Sequence, residues 1–251
     1  MKFVEKIAAH AKQFAGDRKV RTVYIGLSYC YAELENGSSG LAFVFKDVHS
    51  AGCNIDLPAR PLAGAGAATL LDFAGKGSLA NSVCLAVANA VLNPLAEPDT
   101  RGDFIEHFRL TPGIRVGMVG HFKPLVPLIR ETGADLTVFD LDPDPFSGIL
   151  PPEDIPRVLP DCEVGLVTAT SIVNETIDDI LLHGKDLKYL ALIGPTTPLV
   201  PEVYDGTPVS CASGALVADR ERMRNAVAEA GGMQVFSPYL QKVNVYLDRT
   251  E

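Results

Sequence analysis

The chain has 251 residues, 47% of them hydrophobic and 21% charged, which supplies a core for one large domain or two modest ones and argues against disorder. A formal net charge of -9 and a sequence pI near 5.1 exclude nucleic acid and anionic membrane surfaces as natural partners, because both repel a field of that sign. The five cysteines (Cys30, Cys53, Cys84, Cys162 and Cys211) are far apart and odd in number, with no C-x-x-C pair; this argues against a disulfide framework or a closed zinc site and for buried thiols in a reducing, cytoplasmic setting.

In chain order, the opening residues MKFVEKIAAHAKQF mix charge among apolar residues, unlike a leader peptide, and their periodicity predicts an amphipathic helix over 3–15. A β-branched and aromatic run over 20–34, the turn signal Asn36-Gly37-Ser38-Ser39 and a second run over 41–45 predict a hairpin. Residues 47–63 read as irregular. Residues 64–74 and 77–93 read as helices, the second starting near Ser78 as N-cap. No run approaches the ~20 apolar residues of a membrane span. The segment 94–103, with two prolines, a glycine and three acids, reads as a linker, and 104–110 as a short connecting helix. Strand and helix then alternate. Strands are predicted at 114–119, 136–140, 163–168 and 189–193, a short one at 209–212, and a last one over 233–247, antiparallel at the edge. Helices are predicted at 124–132, 174–183 and 219–230, with one turn near 153–158. The runs VGMV, LTVF, VGLV and LALI are continuously apolar, as buried parallel strands are. The fold class is therefore α/β: a parallel-sheet Rossmann-like domain at 99–251, preceded by a smaller α+β domain at 1–98.

Ligands of open parallel sheets bind beyond the carboxyl ends of the strands. Those ends hold Gly120 and His121, Asp140, the stretch Thr168-Ala-Thr170-Ser171, and Gly194-Pro195-Thr196-Thr197. Gly120 either lets an anionic ligand approach a helix N-terminus or only makes a turn. Asp140, 20 residues on, is placed for a ribose-type contact or is a solvated loop acid like Asp142 and Asp144. In Thr168 to Thr176, Asn174 or Ser171 can cap a helix, while Thr170, Thr176 and the others face the crevice. Gly194, Pro195 and Thr196 form a rigid turn that can position a ligand. The run Gly64-Ala-Gly-Ala-Ala imitates a nucleotide fingerprint without a preceding strand and reads as helix packing. Glu33, a carboxylate within an apolar strand, is either a catalytic acid or base facing the second domain or an edge residue; Lys46 and His49 carry the same ambiguity. His10, His49, His107, His121 and His183 show no metal-binding spacing.

The pieces Gly120-His-Phe-Lys-Pro-Leu125, Thr168-Ala-Thr-Ser-Ile-Val-Asn174-Glu-Thr176, Gly194-Pro-Thr-Thr-Pro-Leu-Val-Pro201 and Ser213-Gly-Ala-Leu-Val-Ala-Asp219, closing on Gly231-Gly232, resemble the DUF364, or heavy-metal chelation, family. Gly26 in a first strand and a glycine-rich second strand are similar to that family's preceding DUF4213-type domain. The resemblance implies an enolase-N-terminal-like domain, a Rossmann-like domain akin to methyltransferases and a site at their junction. It implies a small-molecule ligand, either a pterin-, flavin- or chelator-like substrate of an enzyme or the cargo of a non-catalytic carrier or sensor for a nucleotide, S-adenosylmethionine or a metal complex. Gly120, Asp140, Asn174, Thr176, Thr196 and Glu33 would line the cleft. Unclustered Cys and His argue that any metal arrives within a small chelator rather than on side chains. No cofactor is specified, and a homo-oligomer is allowed.

Overall fold

The computed structural model describes residues 1–45, 57–106 and 109–247; Lys46, His49, Cys53 and His107 lie outside the described residues. Apolar residues at helical spacing give α1 (Phe3–Ala15), with Phe3, Val4, Ile7, Ala8, Ala11 and Ala15 turned inward. The run over 20–34 is two strands, not one. β1 (Val20–Ile25) and β2 (Tyr29–Leu34) are joined by a turn in which the Gly26 amide donates to the Tyr29 carbonyl at 2.9 Å. β3 (Ser39–Phe43) completes an antiparallel sheet in the order β1-β2-β3. Two helices follow, α2 (Ala67–Leu71) and α3 (Ser78–Leu92). The N-cap of α3 is Gly77, at φ +99°, rather than Ser78.

All six residues of β2 are buried, because both faces of this small sheet are covered. Side chains alternate along a strand. Cys30, Ala32 and Leu34 join the core built on α1 and α3, whereas Tyr29 and Tyr31 pack on the opposite side with Met223, Ala226, Val227 and Phe236. At Gly40 the sheet meets α3 so closely that a Cβ would come within 2.4 Å of the Ala86 carbonyl and the Ala90 amide nitrogen. The stretch Ser78–Leu95 has a mean hydropathy of 1.3 and is 78% buried inside the fold.

The proline-containing stretch after α3 runs into the second sheet instead of forming a free linker: Thr100–Arg101 is strand β4. The chain then gives β5 (Arg115–Val119), α4 (Leu125–Glu131), β6 (Asp135–Phe139), β7 (Ile149–Leu150), α5 (Ile155–Val158) and β8 (Val164–Thr168). It continues through α6 (Thr170–Val173), α7 (Ile177–His183), β9 (Tyr189–Ile193), β10 (Cys211–Val217), α8 (Arg220–Ala228), α9 (Met233–Phe236) and β11 (Leu240–Tyr246). The eight-stranded order is β4-β11-β10-β9-β8-β5-β6-β7. From β10 to β7 every neighbouring pair is parallel, while β11 runs antiparallel to both β10 and β4. The six parallel strands, counted in chain order, lie as 3-2-1-4-5-6, the doubly wound order that reverses direction between β5 and β8.

Three expectations differ in detail. The last strand is not at the edge, since β4 lies outside it, and residues 233–239 are helical before it begins. The helix expected over 174–183 begins only at Ile177, as α7, and a separate short helix, α6, precedes it at Thr170–Val173. The two-residue β7 escaped the sequence reading. One apolar cluster runs without interruption from α1 and α3 to Val119, Phe139, Val167, Leu192 and Val243, so the small sheet's helices and one face of the large sheet share a core. The other face holds Val116, Met118, Val138, Val164 and Leu166 under Ile129 of α4.

Candidate functional site

The doubly wound order fixes where a crevice must open: the connections from β5 and β8 leave in opposite directions at the switch point. There Gly120 adopts φ +90°, and a Cβ on it would come within 2.8 Å of the Thr168 Cγ2. Glycine thus lets the end of β5 press against the end of β8. A cavity of ≈510 Å³ lies at this point. Gly120, Asp140, Thr170, Ser171, Asn174 and Thr176, six of the expected site residues, line it together.

Internal hydrogen bonds hold its polar wall in place. The Asp140 Oδ2 accepts from the His121 amide at 2.7 Å and its Oδ1 from the Asp142 amide at 3.1 Å, which ties the loops after β5 and β6 to one carboxylate. The Thr168 and Thr170 hydroxyls lie 3.0 Å apart, and the Ser171 hydroxyl donates to the Thr168 carbonyl at 2.6 Å. The Thr176 hydroxyl donates to Asn174 Oδ1 at 2.8 Å, leaving the Asn174 amide group as a donor. Neither Asn174 nor Ser171 is the helix cap expected of it: Asn174 ends α6, and Ser171 lies within that helix.

The break between α6 and α7 sits on Glu175, a non-glycine residue at φ +63°, a region L-residues seldom occupy. The first half of the chain supplies what holds it. Asn81 of α3 donates to the Val173 carbonyl at 2.9 Å and to Glu175 Oε1 at 3.1 Å, and Lys2 pairs with the same carboxylate. The Phe3 amide donates to Asp178 at 3.0 Å. Hydrogen bonding to Lys2 holds the Glu175 carboxyl below the usual carboxylate range. This clamp turns Asn174 and Thr176 towards the cavity.

The rest of the lining is largely apolar, and the sequence reading does not single it out. Phe43 and Phe45, two residues apart at the end of β3, contribute rings whose centroids are 5.0 Å apart at 77°. Phe139, Leu141, Pro152 and Ile155 join them. Asp179 and His183, one turn apart on α7, also line the cavity and were likewise not singled out. The signal that could have found them is their i, i+4 spacing on the helix that follows the strand-end stretch Thr168 to Thr176. Among the described residues, no lysine or arginine lines the cavity.

Other expected site residues lie elsewhere. The His121 side chain is not part of the cavity wall. The proposed anion cradle at Gly120 does not form: its amide donates to Phe139, that of His121 to Asp140, and α4 starts only at Leu125. Gly194, Pro195 and Thr196 belong to a packing loop. Thr196 is buried, with its hydroxyl accepting from the Phe43 amide at 2.9 Å and its carbonyl from Asn89 at 3.0 Å. Asn93 secures the same loop through the Leu199 amide at 2.9 Å. Glu33 points away from the crevice, because it shares the β2 face of Tyr29 and Tyr31. It accepts from the Tyr31 hydroxyl at 2.8 Å, lies 3.4 Å from Arg21, and lines a separate cavity of ≈420 Å³ beside α8. Burial, then the neighbouring Glu33 carboxylate, raises the Tyr31 phenol well above its ordinary value.

Of the described residues, the donors present do not suit direct metal coordination. Among the described residues no three His, Cys, Asp or Glu side chains come together to hold an ion. Burial pushes the thiols of Cys30 and Cys84 up to about 12, which keeps them protonated at neutral pH, and a thiol must lose its proton to ligate.

A family model of DUF364, described as "Putative heavy-metal chelation", matches residues 103–246, and one of DUF4213 with the same description matches residues 7–92. The chain is 26% identical over 110 residues to an uncharacterized protein of Methanocaldococcus jannaschii, a match spanning 43% of this chain and 42% of that protein's length. Its fold is similar to that of a DUF364-family protein of unknown function from Pyrococcus horikoshii, with a TM-score of 0.83 and 22% identity over 98% of this chain and 100% of the other. A second such protein, from Desulfitobacterium hafniense, gives a TM-score of 0.77 and 23% identity over 97% and 98% of the two chains.

Proposed function

The chain belongs to the DUF364 family, and from that premise we propose that it binds a flat, ring-bearing small molecule in the switch-point cavity. The observation that carries this reading is the cavity's mixed lining: the rings of Phe43 and Phe45 share it with the polar side chains of Asp140, Asn174, Thr176 and Asp179. Aromatic edges and faces suit a conjugated ring, and carboxylate and hydroxyl oxygens suit the N–H and O–H groups on its rim. A pterin-, flavin- or chelator-like molecule has that shape. A metal would enter as cargo within such a chelator. The carboxylates of Asp140 and Asp179 favour a neutral or cationic ligand over a phosphorylated nucleotide. A cytoplasmic location suits the four buried thiols among the described residues.

Catalysis is a second reading, favoured by Asp179 and His183. They are the acid–base candidates facing the cavity whose side chains carry no hydrogen bond or ion pair among the described residues. The test is mass spectrometry of small molecules retained by purified wild type, Phe45→Ala and His183→Gln. Wild type and His183→Gln should retain the same conjugated compound, and Phe45→Ala should lose it. A compound retained equally by Phe45→Ala removes the proposed site. Conversion of the compound by wild type but not by His183→Gln establishes the enzymatic reading over the carrier.

A further inference from the structure

The second cavity, of ≈420 Å³, lies where the β1–β2 hairpin meets the start of α8, and Glu33 is its buried floor. Three guanidinium groups converge on it: Arg21 from β1, and Arg220 and Arg224, one turn apart on α8. Their engagements differ. Arg21 lies beside Glu33 and also donates to the Glu35 carbonyl at 2.6 Å. Arg220 uses one nitrogen on the Gly37 carbonyl at 3.0 Å. Arg224, half-buried, has no hydrogen bond or ion pair among the described residues. Of the acids lining the cavity, Asp219 caps α8 through the Arg222 amide at 3.0 Å and lies 3.5 Å from the Arg222 guanidinium; Glu221 is exposed.

The Arg224 guanidinium lines the cavity without a protein partner among the described residues, and its planar fork matches an oxyanion such as carboxylate. The floor is the opposite: Glu33 Oε1 faces Arg21 only at 3.4 Å and retains acceptor capacity that an N–H donor can fill. A purely anionic ligand would be repelled by the floor, and a purely cationic one by the three arginines. We propose that this cavity is a binding site for a small zwitterion of the α-amino-acid type, with its carboxylate on Arg220 and Arg224 and its ammonium on Glu33. The site is independent of the switch-point cavity and shares no lining residue with it.

Titration calorimetry on the full chain tests this with the twenty protein amino acids, acetate and inorganic phosphate. At least one amino acid should bind in the millimolar range or tighter, and its N-acetyl derivative should bind about tenfold more weakly, because hydrogen bonds to charged groups are worth that much. Arg224→Ala should weaken the same amino acid about tenfold and Glu33→Gln by a similar factor, each charge-assisted bond contributing on that scale. Phe45→Ala, in the other cavity, should leave binding unchanged. Arg224 is half-buried midway along α8, where alanine favours the helix, so its variant is expected to fold; circular dichroism checks this, and if Glu33→Gln fails to fold, Arg224→Ala and the N-acetyl comparison decide. The proposal is overturned if no amino acid binds wild type, if phosphate or acetate binds in preference, or if Arg224→Ala binds like wild type.

Discussion

Asp140 ties two loops together with a single side chain. Each oxygen accepts one backbone amide, so the loop that carries Gly120 and the loop that follows β6 hold their places at the cavity edge. Asp140→Ala should lower stability by about 1–2 kcal/mol and weaken retention of the cavity ligand, because two amides lose a charged acceptor. His121→Ala should leave retention unchanged, since His121 contributes its backbone and not its imidazole. Denaturant midpoints and ligand retention on the two variants check both statements. The contrast marks what the sequence reveals at this scale. Gly120 and Asp140 could be found because a strand end in a parallel sheet has one possible destination. Glu33 and Thr196 could not be placed, because their surroundings depend on which layers cover the small sheet. Once α3 takes the even-numbered face of β2, Glu33 must look at α8, and nothing local to residues 29–34 announces that choice.

The break between α6 and α7 shows the same limit for an element. The helix predicted over 174–183 takes in residues 174–176, where the chain is not helical, and leaves out Thr170–Val173, which forms α6. The interruption is imposed from outside, by Asn81 and Lys2 acting on Glu175. Glu175 has a carboxyl held lower in the folded protein than in the unfolded chain. Its contribution to stability is therefore fully present above the unfolded value near 4.5 and is lost as pH falls through the lower folded value. Glu175→Gln should be less stable than wild type at pH 7, and the difference should shrink towards pH 3; a gap that stays constant would show that the ion pair with Lys2 is irrelevant to the clamp. Gly40 makes the complementary case, where glycine serves close approach and not a turn. Gly40→Ala should cost about 3 kcal/mol or more, since the added carbon meets the backbone of α3 rather than a movable side chain.

For the whole molecule, the two sheets are joined by a helix that belongs to both. α3 is buried almost throughout, yet it carries Asn81 and Asn89, with Asn93 immediately after it, and all three reach across to the β8–α7 and β9 loops of the large sheet. Buried amides of this kind are costly unless bonded, so they fix how the halves dock as well as how firmly. With an apolar core that also crosses the junction, opening one half exposes the other, and the chain should unfold as one cooperative unit. The cysteines make this measurable. Cys30 on β2 and Cys84 on α3 report on the first half and Cys211 on β10 on the second, and all three are fully buried. Burial pushes the first two thiols up to about 12 and Cys211 up to about 11, so none reacts at pH 8 until its surroundings open. Labelled with a thiol reagent in increasing denaturant and read site by site by peptide mass spectrometry, the three should become reactive along one curve. Asn89→Ala, which strips the Leu41 and Thr196 carbonyls of their donor, should shift that common curve to lower denaturant by about 2 kcal/mol without splitting it. If Cys30 and Cys84 label before Cys211, the halves open separately and α3 does not couple them. In that event a ligand held between Phe43 and Asn174 would itself be the element that joins the two sheets, and adding it should merge the curves.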